Sequence, residues 1–163
     1  TPYAELLNTH IFQPLGMSNS TLKIEEAGQN LVQGLDAGGN ETEAWDMGVF
    51  EGAGAILSST MDLSTFVKAH FEENDDALSL ATSPTFLVND NLRIGLGWHI
   101  LKSDSGQDLY WHNGGTGGYS ASVFMMPNEK KAVIVLSNVS AFHPLVSRID
   151  ELGFELIKLQ NQP

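Results

Sequence analysis

No cysteine occurs anywhere in these 163 residues. Disulfides, thiolate metal sites and cysteine nucleophiles are therefore excluded together. Basic residues are scarce as well: eight Lys and Arg against twenty Asp and Glu give a formal net charge of −12. A phosphate-binding face needs clustered cations, and Lys130-Lys131 is the only adjacent basic pair, so nucleic acid is not an expected partner. No run approaches the roughly 18 uninterrupted apolar residues of a membrane span, and no basic-then-apolar leader opens the chain. Thr1-Pro2 is an odd beginning for a natural protein, so the expectation is a later part of something longer. The five histidines show neither His-x-His nor His-Glu-x-x-His spacing, and no metal or other cofactor is expected.

What is present reads as one globular domain. Apolar residues make up 42% and charged residues 17%, ordinary values for a chain that buries a core. Tyr3, Leu6, Leu7, His10 and Ile11 follow the spacing of a single helical stripe, with Thr1 as N-cap, Pro2 at the first helical position and Pro14-Leu-Gly16 as the exit. Residues 18 to 57 are glycine-rich and irregular, with short extended pieces. Ser59-Thr-Met-Asp62 has the pattern of a capping box, and Leu63, Phe66, Val67 and His70 form a second stripe behind it. His10 and His70 are expected at core or boundary positions. The acidic run Glu72–Asp76 reads as a solvated exit loop, because acids oppose the dipole at a helix C-terminus.

From residue 92 the periodicity changes. Ile94–Leu101, Leu109–His112, Gly118–Met126 and Ala132–Leu136 are short β-type runs, with Ser103-Asp-Ser-Gly106 and Pro127-Asn-Glu-Lys130 as turns. Four such runs imply an antiparallel meander. A last helix follows Pro144, with the stripe Leu145, Ile149, Leu152, Leu156 and Leu159 directed at the sheet. The expected fold class is α+β: residues 1–90 helical and irregular, 91–163 antiparallel strands packed by a C-terminal helix.

Chemistry concentrates in Tyr110-Trp-His-Asn-Gly-Gly-Thr-Gly-Gly-Tyr119. A strand tolerates glycine poorly without a reason, and glycine can bring backbone N–H groups close to a ligand or adopt positive φ. His112 stands just before these glycines and can change charge near neutral pH. A plain hairpin, its glycines serving the turn, fits the composition equally. A phosphate loop does not, since no helix opens after the glycines and no Lys-Ser/Thr pair follows.

Five segments in order resemble a known family: Leu6-Leu7 through Ile11-Phe-Gln-Pro-Leu-Gly-Met17, Gly52–Leu63, Gly95-Leu-Gly-Trp98, His112-Asn-Gly114 with Gly117-Gly118, and Ile134-Val-Leu-Ser-Asn138. Together they resemble the C-terminal part of the serine β-lactamase and penicillin-binding-protein-like hydrolases, in the branch of class C β-lactamases, D,D-carboxypeptidases and esterases. The resemblance implies a partial β-lactamase-like fold, a periplasmic or extracellular setting and an acyl substrate, either a small molecule or a peptide. His112-Asn113-Gly114 matches the family's His-x-Gly motif. By that match His112 polarises the substrate or holds its carboxylate, and Gly115 offers a backbone N–H to the oxyanion. The resemblance also implies substrate contacts at Asn113, Gly114 and Thr116, with Arg148 a weaker candidate for an acidic substrate group.

The departures are equally informative. Neither Tyr-x-Asn nor Ser-x-Asn occurs, and the one Ser-x-x-Lys, Ser20-Thr-Leu-Lys23, follows a helix exit rather than opening a helix. Ser20 is read as a chance match. The nucleophile is expected in an N-terminal half of the same polypeptide, which becomes the principal expected partner. Without that half one sheet edge stays unpaired and open to self-association. A non-catalytic binding module that retains the fold is the alternative.

Overall fold

Helix α1 (Tyr3–Leu7) widens into a π turn over Asn8–Phe12 and closes as α2 (Gln13–Leu15). In this computed structural model, which describes residues 1–72, 75–103 and 106–159, the helix runs through Pro14 before stopping. Proline lacks an N–H, and its ring would strike the carbonyl four residues back, so the widened turn gives that carbonyl room. Gly16, at φ 68°, ends the helix in the left-handed conformation. Pro2 rather than Thr1 occupies the N-cap, with no side-chain bond. His10 lies exposed, away from any core.

The irregular stretch contains α3 (Ile24–Ala27) and a small ribbon of β1 (Gly34–Leu35) with β2 (Glu41–Thr42). That ribbon is tied to the main sheet: Leu35 N–H bonds the carbonyls of Asn138 at 3.0 Å and Gly118 at 3.3 Å. Helix α4 (Thr60–Ala69) starts as expected, with Ser59 Oγ accepting from Asp62 N–H at 3.2 Å. The Asp62 side chain does not return to its own N-cap. Buried, it accepts from Asn19 N–H at 2.7 Å, Asn19 Nδ2 at 3.3 Å and Ser20 Oγ at 2.8 Å. Bonds of this type contribute about 1.5–3 kcal/mol when charged. Asp62→Ala is therefore expected to lower the unfolding free energy by about 3 kcal/mol, read as a shifted urea midpoint.

Helix α5 (Asp76–Thr82) was not expected from the sequence. Asp75 caps it by accepting from Ala77 and Leu78 N–H at 2.8 and 3.1 Å. Acids thus favour a helix start here, where the sequence suggested an exit loop. Residues 73 and 74 of that acidic run lie outside the described residues.

The sheet begins earlier than expected and has six strands among the described residues. β3 (Phe86–Asn89), β4 (Leu92–Ile94), β5 (His99–Lys102), β6 (Asp108–Gly115), β7 (Ser120–Met126) and β8 (Lys131–Ser137) lie side by side in chain order, all antiparallel. The run Ile94–Leu101 is two strands, because Gly95-Leu-Gly97 bends between them with Gly97 at φ 86°. Residues 104 and 105 of the expected turn after β5 lie outside the described residues.

Helix α6 (Ser147–Leu159) covers one face of the sheet and α4 the other. Leu109, Phe124, Met126, Val133 and Ile157 pack on the α6 side; Val67, Trp98, Ile100 and Met125 pack on the α4 side. The face α6 buries is not the leucine stripe. Leu145, Leu152, Leu156 and Leu159 are 61%, 45%, 38% and 57% exposed, while Gly153 and Ile157 are buried. Gly153 decides the rotation, since only a residue without a Cβ lets the helix lie this close to the Phe124 ring. The chain as a whole exposes 10182 Å², whereas a compact monomer of its mass exposes about 7,900 Å².

Candidate functional site

Strand β6 outruns its neighbour. Its pairing with β5 ends at His99–Trp111, while its pairing with β7 continues from Tyr110–Met125 to Gly115–Ser120. The next pair is closed by Thr116 N–H bonding the Tyr119 carbonyl at 2.8 Å. Antiparallel pairs alternate between hydrogen-bonded and non-hydrogen-bonded. With Thr116–Tyr119 bonded, the backbone groups of Gly115 and Asn113 point away from β7, toward the side where β5 has already ended. The Gly115 N–H thus stands on an open strand edge.

Side chains along this overhang alternate between the faces. His112 and Gly114 project to the α4 side, beside Trp98, whose ring centre lies 6.4 Å from that of His112 at a steep angle of 78°. His112 is exposed and its ring makes no hydrogen bond among the described residues. Next along this aromatic row, Trp98 meets His70 edge-on at 5.6 Å, and burial holds the His70 pKa below its ordinary value.

The glycines divide into two kinds. A Cβ at Gly115 would lie 2.7 Å from Ala141 Cβ, one at Gly117 2.5 Å from Trp45 Nε1, and one at Gly118 2.7 Å from Thr42 Cγ2. All three make room for the protein's own side chains, and none has positive φ. Gly114 alone faces open space, on the His112 side of the strand. Thr116 carries a buried hydroxyl with no partner among the described residues.

Asn113 and Arg148 are placed differently from His112. Asn113 projects to the α6 side, where its Nδ2 donates to Asp150 Oδ2 at 2.6 Å. Arg148 lies exposed on α6 and pairs with Glu151 at 3.0 Å. The helix residue that meets the motif strand is Asp150, which the sequence reading passed over. Its signal was present: Val146, Asp150, Gly153 and Ile157 share a helical face, and an acid on a buried face needs a partner.

Ser20 is a structural hydroxyl. It sits in non-helical chain, donates to Asp62 and lies 2.8 Å from Ser58 Oγ. Lys23 turns the other way, to Glu26 at 2.7 Å. The two are not one turn apart on one helix face, as an activated serine with its lysine requires.

The sequence pattern of the Beta-lactamase family matches residues 1–156. The chain belongs to that family. Among characterised relatives, penicillin-binding protein 4* of Bacillus subtilis is 28% identical over 83% of this chain, which spans 35% of that protein. The unguisins hydrolase of Aspergillus campestris is 25% identical over 83% of the chain and is likewise matched over only 29% of its length. The octameric penicillin-binding protein homologue of Pyrococcus abyssi superposes with a TM-score of 0.75 at 25% identity, covering 99% of this chain and 38% of that one. A β-lactamase/D-alanine carboxypeptidase of Pseudomonas syringae gives 0.81 at 18% identity, over 100% of this chain and 55% of that one. The chain therefore carries part of a β-lactamase-type fold and spans about a third of the length of the curated relatives it matches.

Proposed function

We propose that this chain forms one wall of the cleft of a serine acyl hydrolase, with the nucleophile supplied by other residues of the same polypeptide. The observation that carries the reading is the β6 overhang: an accessible histidine and a free-standing Gly115 N–H on one open edge, next to Gly114 facing empty space. A serine attacking an acyl carbonyl turns the carbonyl oxygen into an oxyanion, and a preorganised backbone N–H stabilises that charge more than the ground state. His112 can donate from its imidazole to the substrate carbonyl or carboxylate and orient it for attack. Collapse of the oxyanion breaks the scissile bond and releases the amine or alcohol with a proton, and water then attacks the acyl–enzyme, returning the serine and releasing the acid. The acyl bond is that of a D-alanyl peptide, a β-lactam or a small ester.

Two surface features support an N-terminal half as partner. The leucine stripe of α6 is solvent-facing, and among the described residues β8 has no strand on its outer side. Both are surfaces that a larger domain would bury, in keeping with the excess exposed area. The reading predicts that this chain alone takes up no label from a fluorescent penicillin or a fluorophosphonate, whereas the full polypeptide does. Covalent label at Ser20 of the isolated chain would overturn it. A Ser-x-x-Lys followed by Tyr-x-Asn upstream of Thr1 supports the hydrolase; their absence supports a binding module that kept the fold without the chemistry.

A further inference from the structure

We infer that Asp150 is a positioning residue, the group through which α6 fixes the His112–Gly115 strand from behind. This rests on the hydrolase reading. Asp150 projects from α6 onto the sheet and accepts two short hydrogen bonds, from Asn113 Nδ2 and from Ser122 Oγ, each at 2.6 Å. Asn113 and Ser122 are opposite one another on β6 and β7. One carboxyl group therefore clamps a cross-strand pair, with one oxygen for each strand.

The clamp is anchored on both sides. Ser122 is fully buried, and its hydroxyl also accepts from Trp111 Nε1 at 3.2 Å. Trp111 in turn packs against Phe154 of α6, ring centres 5.4 Å apart. On this face the strand carries Trp111 and Asn113, and on the other it carries His112 and Gly114. A bond that immobilises Asn113 immobilises the peptide groups on either side of it, which belong to His112 and Gly114.

That support comes where the sheet provides none. Past Trp111, strand β6 has a neighbour on one side only, and an unsupported edge would let the Gly115 N–H wander. Donor geometry in an oxyanion site is demanding, and a displacement near 1 Å reduces rate by about 100-fold. Asp150 acts as the missing restraint. It touches no reacting atom, and its effect passes through Asn113.

The test uses the full polypeptide and a chromogenic ester. Asp150→Ala is expected to lower kcat at least tenfold with KM changed less than twofold. Asp150→Asn, which can still accept from Ser122 and pair with a flipped Asn113 amide, should recover most of the rate. Asn113→Ala keeps the Asp150–Ser122 bond and the fold, and should slow kcat similarly. The double variant Asn113→Ala/Asp150→Ala should be no slower than Asp150→Ala alone. If Asp150→Ala lowers only the melting temperature, or if the two effects multiply in the double variant, the inference fails. Should Asp150→Ala not fold, an unchanged kcat in Asn113→Ala overturns it equally. Acyl labelling of the parent separates the levels: without label the hydrolase reading falls, and with label but unaltered kinetics only the Asp150 assignment does.

Discussion

Replacing His112 with alanine in the full polypeptide should lower kcat/KM for ester or amide hydrolysis by about 100-fold, the low end of what a positioned proton donor contributes. That factor corresponds to about 2.7 kcal/mol of transition-state stabilisation. The fold should be untouched. His112 is exposed, hydrogen-bonds nothing among the described residues and has the Trp98 and His99 rings no closer than 6.4 Å between ring centres. Its removal should move the unfolding free energy by no more than about 0.5 kcal/mol, as for ordinary surface substitutions. Loss of activity with a preserved melting curve is the expected pairing, measured on one preparation by initial rates and circular dichroism. Unchanged rates would remove His112 from the site.

A stability loss as large as that of Asp62→Ala should come from Gly153→Ala. In an exposed helix this change stabilises by about 1 kcal/mol, because alanine restricts the unfolded chain and glycine does not. Here the sign reverses. A Cβ at Gly153 would overlap the Phe124 ring at Cε2 and come within 2.6 Å of Cζ, and Phe124 is fully buried with no room to retreat. Phe124 is also in contact with Phe154, ring centres 4.7 Å apart, so the strain spreads through the helix–sheet interface. Overpacking of this kind costs about 3 kcal/mol, a fall of about 10 °C in melting temperature for a chain of this size. A thermal scan decides it. A melting temperature equal to or above that of the parent would mean that α6 does not lie this close to the sheet.

How legible the molecule was depended on whether a signal was local. The Ser59 cap, the meander from β5 to β8 and the placement of His112 on a strand follow from neighbours in sequence and are legible there. The leucine stripe misled because apolar periodicity reports which face is greasy, not which face is covered. Gly153 set the contact instead, through a ring 29 residues away in sequence. Helix α5 was missed because its cap, Asp75, belongs to an acidic run that also suits a loop. In sequence, the glycines of the motif fit approach to a ligand and a plain hairpin turn equally well. Three of them make room for Ala141, Trp45 and Thr42, partners that no local pattern could disclose. Asp150 went unnoticed for a related reason. A single acid on a helix has no meaning until the strand it meets is known.

The overhang of β6 also acts as a ruler. Four residues, His112 to Gly115, lie beyond the end of β5, and at about 3.4 Å per residue they give about 14 Å of free strand edge. Only Asn113 and Gly115 turn their peptide groups outward along it. An extended chain laid against this edge finds two residues to bond with, and then meets β5 at one end and the Gly117-Gly118 turn at the other. Lengthening such a chain past that span adds no ladder bonds, so what the edge can gain from a longer partner is capped by its own geometry.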